Sequence, residues 1–279
     1  MTYDCFDVSI ESRIAHIVLK RGDALNTMIP AFWRELPEIV NGISDDGAAR
    51  AIVLSSTGRH FCAGMDLAVF GAGGLPGDAV EPGRKNANMR MQALHLQETF
   101  TCLERARMPV LAAIQGGCVG GAVDMVTACD MRYATADAWF CIQEINIGMT
   151  ADVGTLQRLP KLIPEGIARE LAYTGARMPA ARAREVGLVN DVFDDHDDML
   201  DGVMGVAAEI AAKSPLAVWG TKESVNFARD HSVADSLNHI ATWQSGMFQP
   251  ADMMATFEAT TSGEAPVFDD LPRVRRGLE

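Results

Sequence analysis

Three acidic residues, Asp124, Glu144 and Asp152, lie in or beside glycine-containing segments of the chain. Ile145 and Ile147 follow Glu144 closely, and a carboxyl held among apolar side chains has a raised pKa when it is buried. Asp152 directly precedes a helical pattern, so the local sequence taken alone favours a structural role for it as a helix N-cap. The three residues are candidates for general acid–base chemistry.

Two glycine-rich turns are candidates for a second chemical task, the stabilisation of an oxyanion. Residues 60–67 and 116–124 each follow a strand pattern and lead into a helical pattern. Such a turn leaves backbone N–H groups unpaired, and glycine lets a ligand approach them closely. For each turn alone, tight packing remains the simpler interpretation.

Several other reaction and binding classes have no motif in this sequence. The six histidines form no HxxxH or HExxH pair, and no GxSxG, GxGxxG or GxxxxGK[ST] motif is present. The formal net charge of -13 argues against a nucleic acid or an anionic membrane surface as partner. We therefore expect no metal, no nucleic acid and no membrane partner.

The six cysteines indicate a reducing compartment. They form no CxxC pair, and no secretory signal or bilayer-spanning apolar segment is evident. Free thiols are the simplest interpretation. From this we expect a cytoplasmic location.

Strand and helix patterns alternate along the first half of the chain. Short β-branched or apolar runs at 6–10, 14–19, 51–55 and 109–114 predict strands, the first two joined by a turn at 11–13. Helical patterns begin at Pro30 and span about 86–107, and a further helix starts at Gly121. This order predicts an α/β fold with a mostly parallel sheet.

Helices dominate the sequence after residue 160. The apolar spacing predicts helices over 164–174, 179–186, 196–213, 215–229 and 232–248, with one short apolar run at 188–192. The glycine-rich stretch 71–78 is predicted to be a loop.

The motifs, taken in order, resemble those of a known family. Residues 61–67 and 120–124 look like the two oxyanion-hole segments of the crotonase, or enoyl-CoA hydratase/isomerase, superfamily. The similarity extends from Ala24, through Gly175, to the helical tail. It implies a crotonase-like ββα spiral core over residues 1–195 and a C-terminal helical assembly region over residues 196–279.

The resemblance also implies a ligand, an assembly and a set of binding residues. The substrate would be an acyl-CoA thioester, with coenzyme A as part of the substrate and no separate cofactor. The N–H groups of Ala63 and Gly121 would form the oxyanion hole. The substrate channel would be lined by Ala63, Gly64, Met65, Asp66 and Leu67 together with Gly121, with Asp66 serving local hydrogen bonding. Family members form homotrimers or homohexamers, and we expect the same here.

The carboxylate positions distinguish branches of the superfamily. Hydratases typically carry two glutamates, at the positions of Asp124 and Glu144, and a glycine at the position of Asp152. The acidic trio of this chain instead resembles that of the Δ3,5-Δ2,4-dienoyl-CoA isomerases of unsaturated fatty-acid β-oxidation. By this resemblance Glu144 removes the proton from carbon 2 of the acyl chain, Asp152 supplies one to carbon 6, and Asp124 tunes the cluster.

Two alternatives remain open at this point. An enoyl-CoA hydratase would use Asp124 and Glu144 to add water to a 2-enoyl thioester. A non-catalytic acyl-CoA-binding protein would keep the scaffold without turnover.

Overall fold

The computed structural model describes residues 2–66, 68–71, 81–275 and 277. Its strands are β1 Phe6–Glu11, β2 Ile14–Leu19, β3 Ala51–Ser56, β4 Val110–Ile114, β5 Gly117–Val119, β6 Met131–Thr135, β7 Trp139–Cys141, β8 Met178–Pro179 and β9 Asp191–Phe193. Its helices are α1 Pro30–Asp46, α2 Ala68–Gly71, α3 Pro82–Arg105, α4 Gly121–Thr127, α5 Thr155–Leu162, α6 Glu165–Thr174, α7 Ala180–Glu185, α8 His196–Ala211, α9 Pro215–Asp230, α10 Val233–Met247 and α11 Pro250–Ser262. Short 3-10 helices cover Gly22–Ala24 and Glu144–Ile147.

The strands form two sheets, and this confirms the predicted α/β class. The larger sheet has the order β1-β2-β3-β4-β6-β9, in which β1 and β2 are antiparallel and every later neighbour is parallel. The smaller sheet has the order β5-β7-β8. Because β4 belongs to the first sheet and β5 to the second, the chain passes between sheets just before α4.

The first hairpin turns where the sequence predicts. Ser12 and Arg13 both have positive φ, at 48° and 66°, as a two-residue turn between antiparallel strands requires. The turn pairs Glu11 with Ile14 and sets the register of the whole hairpin.

Most predicted helices are present within about two residues of their predicted ends, but the start of α3 and the presence of α11 differ. Helix α3 begins at Pro82 because the Glu81 side chain accepts hydrogen bonds from the backbone N–H groups of Gly83 and Arg84. Helix α11, at Pro250–Ser262, was not predicted. Its sequence lacks the apolar periodicity that identifies a packed helix, and none of its residues is buried.

The sheet is covered on both faces. One face joins the main core, which includes Phe32, Leu36 and Phe100. Helix α8 covers the other face, with Met199 and Val203 packed in a second cluster with strand residues such as Val53. Helix α8 therefore packs on the sheet although it lies within the predicted region 196–279.

The later C-terminal elements are tied to the core by buried cations. Lys222 of α9 donates to the carbonyls of Leu103 and Met108 and pairs with Asp130 at 2.8 Å. Beyond α11, the tail returns to the core, where Arg50 donates to the carbonyl of Phe268 at 2.6 Å. Helices α9 to α11 are thus anchored at both ends.

The helices that the structure describes were compared with the length and apolar content that a membrane span requires. None of them is both long enough and apolar enough to cross a bilayer.

The buried ammonium of Lys222 generates a stability prediction. Lys222→Met removes three hydrogen bonds and leaves Asp130 without its cation, with only the Val110 N–H still donating to the carboxylate, so we expect the free energy of unfolding to fall by about 2–4 kcal/mol. Denaturant unfolding of the variant and the wild type measures this loss. The matched control is Arg169→Met, which breaks an exposed, solvent-screened ion pair with Glu165 and should lower the free energy of unfolding far less. Equal losses in both variants would contradict the anchoring role.

Candidate active site

The two predicted turns lie side by side in the structure. Cys62 and Cys118 form a parallel bridge, in which the N–H of Cys62 donates to Gly117 at 3.2 Å and the N–H of Val119 donates to Cys62 at 3.1 Å. On its other side, the first turn is bonded to the segment before α1, since the N–H of Met28 donates to the carbonyl of Gly64 at 2.8 Å. The first turn is therefore fixed between two backbone segments.

Asn26 fixes the start of the first turn. Its side-chain amide donates to the carbonyls of Thr57 and His60 at 2.8 and 3.1 Å, and its own carbonyl accepts from the Cys62 thiol at 3.0 Å. The family similarity begins two residues earlier, at Ala24, and the sequence alone assigns Asn26 no role. Its buried side chain and left-handed backbone, with φ 52°, show that it orients the turn.

Two glycines permit the close approach of these segments. Gly64 has φ 83°, and a Cβ atom there would lie 2.7 Å from the carbonyl oxygen of Val119. Gly120 has φ 56°, and its Cβ would lie 3.2 Å from Oε1 of Glu144. Larger residues would separate the turns or displace the glutamate.

The free backbone donors differ from the predicted pair. The N–H of Ala63 donates to the carbonyl of Leu25 at 3.0 Å, so the prediction that Ala63 forms the oxyanion hole is wrong. Over the residues that the structure covers, the N–H groups of Met65 and Gly121 have no hydrogen-bond acceptor. The positive φ at Gly64 reverses the chain between Ala63 and Met65, and this reversal turns the Met65 N–H away from the segment that binds Ala63.

Asp124 lies at the centre of the carboxylate cluster. It is 0% exposed, its Oδ1 accepts from the N–H of Thr155 at 2.6 Å, and its Oδ2 has no partner within the described part of the chain. Burial raises its pKa to about 6, against the opposing hydrogen bonds from Thr155. Asp124 therefore supplies the cap of helix α5, whereas Asp152, the predicted N-cap, does not; Gly154 occupies that position.

Glu144 begins the 3-10 helix after β7, where it faces Asp124 and the Gly120 turn. Burial, together with the charges of Asp124 and Asp152, raises its pKa to about 7. Its Oε2 is buried and has no partner among the described residues. The carboxyl is desolvated as the sequence suggested, but Ile145 and Ile147, the apolar neighbours noted there, are themselves exposed.

Asp152 completes the cluster from the loop before α5. Burial raises its pKa, although its side chain is partly exposed, and its charge acts on both Asp124 and Glu144. The structure therefore brings together all three acidic residues singled out in the sequence. Because like charges disfavour simultaneous ionisation, the cluster retains a proton near neutral pH.

The remaining predicted binding residues border the first turn. Asp66 accepts hydrogen bonds from the Thr27 hydroxyl and the Ala68 N–H, each at 3.0 Å, as expected for a residue with a local role. Leu67 and most of the glycine-rich loop 71–78 lie outside the described residues. In the ranges that are described, no three His, Cys, Asp or Glu side chains are grouped to hold a metal ion.

Comparisons with known proteins show the family to which the chain belongs. A model of the enoyl-CoA hydratase/isomerase family matches residues 9–263. A human protein named mitochondrial Delta(3,5)-Delta(2,4)-dienoyl-CoA isomerase is 44% identical over 92% of this chain and 78% of its own length. An Arabidopsis thaliana protein named peroxisomal Delta(3,5)-Delta(2,4)-dienoyl-CoA isomerase is 35% identical over 97% of this chain and 98% of its own. The crystal structure of an enoyl-CoA hydratase from Bacillus anthracis has a TM-score of 0.85 at 27% identity and covers 95% of this chain and 99% of that one.

These comparisons correct the expected location. The relatives are named mitochondrial or peroxisomal, which contradicts the cytoplasmic expectation. That expectation depended on free cysteines. All six are buried in the structure, where cysteine serves as a small apolar residue and carries no information about the compartment.

The raised pKa of Glu144 predicts a pH-dependent stability difference. Folding raises this pKa from 4.5 to about 7, so ionisation opposes folding and the contribution of Glu144 is lost as pH rises through that window. As the pH rises from 4.5 to 7, the free energy of unfolding of Glu144→Gln should therefore increase relative to that of the wild type by on the order of 2 kcal/mol. Urea unfolding across this range measures the difference.

An exposed glutamate provides the control for this measurement. Glu165→Gln breaks only the solvent-screened surface pair with Arg169, so its difference from the wild type should vary much less across the same range. A pH-independent difference for Glu144→Gln would show that Glu144 titrates normally in the fold.

Proposed function

Because the chain belongs to the enoyl-CoA hydratase/isomerase family, we propose that it converts a 3,5-dienoyl-CoA thioester to the 2,4-dienoyl-CoA. The observation that carries this proposal is the third carboxyl, Asp152, which shares one electrostatic cluster with Asp124 and Glu144. Relatives over most of the chain are named for this isomerisation.

The oxyanion hole consists of the N–H groups of Met65 and Gly121. Both donors are free of acceptors in the described structure, and the Gly121 nitrogen would lie only 3.4 Å from a Cβ built on Gly64. A thioester oxygen bound by both N–H groups would gain negative charge as the dienolate forms. Fixed backbone donors stabilise such charge without reorganisation.

The isomerisation requires one ionised carboxylate to accept a proton and one protonated carboxyl to donate one. Glu144, with a pKa of about 7, takes a proton from carbon 2, and the electron pair moves into the dienolate. The double bonds then shift to positions 2 and 4 as carbon 6 takes a proton from Asp152. One proton leaves the substrate and one enters, so the step is balanced without a redox cofactor or added water.

Asp124 makes Glu144 a stronger base. Its buried charge raises the pKa of Glu144, while its Oδ1 remains fixed to the N–H of Thr155 at the start of α5. Asp124 therefore contacts the start of α5 through one carboxyl oxygen and acts on Glu144 through its charge.

The C-terminal helices retain their proposed role in assembly. Leu237 of α10 and Phe257 of α11 are 64% and 56% exposed in the single chain. Exposed apolar side chains on neighbouring helices suit a subunit interface. We therefore propose that residues 196–279 mediate formation of a homotrimer or homohexamer.

A product assay tests the function directly. The chain is offered a 3,5-dienoyl-CoA and a 2-enoyl-CoA in parallel, and products are identified by ultraviolet absorbance and mass. We expect the conjugated 2,4-dienoyl-CoA from the first thioester. Hydration of the second without conversion of the first would instead identify a hydratase, and binding of both without turnover would identify a non-catalytic protein.

The proposed role of Asp152 predicts a selective loss. Asp152→Asn removes the proton donor for carbon 6, so the isomerisation rate should fall roughly 100-fold or more. Exposed Asp201 on α8 provides the matched Asp→Asn control, which should keep the wild-type rate. Undiminished isomerisation by folded Asp152→Asn would contradict this role.

A further inference from the structure

Two side chains behind the catalytic cluster hold the loop that carries Asp152. We propose that Gln97 of α3 and Arg158 of α5 are positioning residues that set where the Asp152 carboxyl meets the substrate. This inference depends on the proposed isomerisation for its kinetic consequence, while its structural consequence is independent of turnover.

Asp152 needs such support because its own side chain provides little. Within the described ranges, its carboxyl receives no hydrogen bond from another residue, so its position follows from its backbone. Gln97 Nε2 donates to the carbonyl of Asp152 at 2.8 Å. Arg158 Nη1 lies 3.4 Å from the carbonyl of Val153, the next residue. Both contacts fix the backbone directly behind the carboxyl.

Arg158 is itself held in a fixed orientation. Its Nη2 donates to the Thr101 hydroxyl at 3.1 Å and to Glu104 at 2.7 Å. Glu104 also accepts from Arg229 of α9 at 2.6 Å. The Arg158 and Glu104 side chains are only 11% and 14% exposed, so this network is far less screened than a surface ion pair.

Gly154 provides the space that Arg158 occupies. Its φ is 139°, a conformation that side-chain-bearing residues rarely adopt, and a Cβ atom there would overlap the Arg158 guanidinium. The guanidinium therefore lies against the loop backbone at a position that any larger residue would close. This contact ties the loop to the charged network as well as to helix α5.

The same residues line a groove of about 480 Å³ between α3, α5 and α9. A ligand site would require unpaired charges in this groove, but its cations are paired: Arg158 and Arg229 with Glu104, and Lys161 with Asp230. The groove matters for a different reason. It exposes the polar side of the Asp152 loop, where Gln97 and Arg158 hold the backbone, whereas Ala151 and Val153 on either side of Asp152 are buried in the main core.

The positioning role separates the two proton transfers. Glu144 lies on a different element, after β7, and does not depend on Gln97 or Arg158 for its position. A displaced Asp152 loop should therefore slow proton delivery to carbon 6 while proton removal at carbon 2 continues. Misplacement of a reacting group by about 1 Å can cost as much as 100-fold in rate.

The experiment compares Gln97→Met with Gln157→Met. Both glutamines line the groove, but Gln157 is exposed on α5 and has no side-chain hydrogen bond among the contacts of the described residues. Each protein is incubated with a 3,5-dienoyl-CoA in deuterium oxide. Product formation reports isomerisation, and deuterium at carbon 2 of recovered substrate reports the first proton transfer.

For Gln97→Met we expect kcat for isomerisation to fall roughly tenfold or more, with KM and carbon-2 exchange within about twofold of the wild type. Gln157→Met should match the wild type in all three. Arg158→Met should also slow isomerisation, and Arg158→Lys should recover part of the rate. Because the charge of Arg158 also lowers the pKa of Asp124, the selective loss is expected of Gln97→Met alone. Unchanged isomerisation by Gln97→Met, or a parallel fall in its exchange and isomerisation, would overturn the proposal.

Crystal structures of the wild type and Gln97→Met decide the structural consequence separately. We expect the Asp152 carboxyl to move by about 1 Å or more in the variant. An unchanged carboxyl would overturn the positioning role. If the wild-type protein did not isomerise the dienoyl thioester, the proposed function would fail, and these structures would still decide whether Gln97 positions Asp152.

Discussion

The site depends on one close backbone contact, that of Gly64 against the carbonyl of Val119. A Cβ at Gly64 would lie 2.7 Å from that oxygen, so only glycine allows the two turns to meet. The contact brings the segments of Met65 and Gly121 together, and both keep a free N–H in the described structure. Three features hold this contact in place: the larger sheet, the hydrogen bonds of Asn26, and the bridge between Cys62 and Cys118.

The site depends secondly on the burial of its carboxyls, and this burial follows from the close contact of the two turns. Gly120 lets Glu144 approach the second turn, and Asp124 follows that turn on α4, so both are desolvated beside the oxyanion donors. Their pKa values rise to about 6 and about 7, and the charge of Asp152 contributes to both. Groups that would be fully ionised at a surface can therefore exchange protons near neutral pH. The cost is reduced stability whenever they ionise.

Much of this arrangement could be predicted from residue types and motif order. The alternation of strand and helix patterns predicted the sheet, and the acidic trio predicted a cluster that the structure brings together. The choice of Ala63 failed because a motif shows that a turn has free donors, whereas the local φ of Gly64 and the pairing with Leu25 decide which N–H is free. Likewise, Asp152 precedes a helix in sequence, but the cap comes from Asp124, which is 31 residues away from its partner Thr155. Contacts distant in sequence, such as that of Gln97 with Asp152, leave no local pattern.

The most direct test of this account is a crystal structure of the protein with a 2,4-dienoyl-CoA bound. The account predicts that the thioester oxygen lies about 2.7–3.1 Å from the backbone nitrogens of Met65 and Gly121, with the Glu144 carboxyl beside carbon 2 and that of Asp152 beside carbon 6. A thioester oxygen bound elsewhere, or an Asp152 carboxyl out of reach of carbon 6, would contradict it.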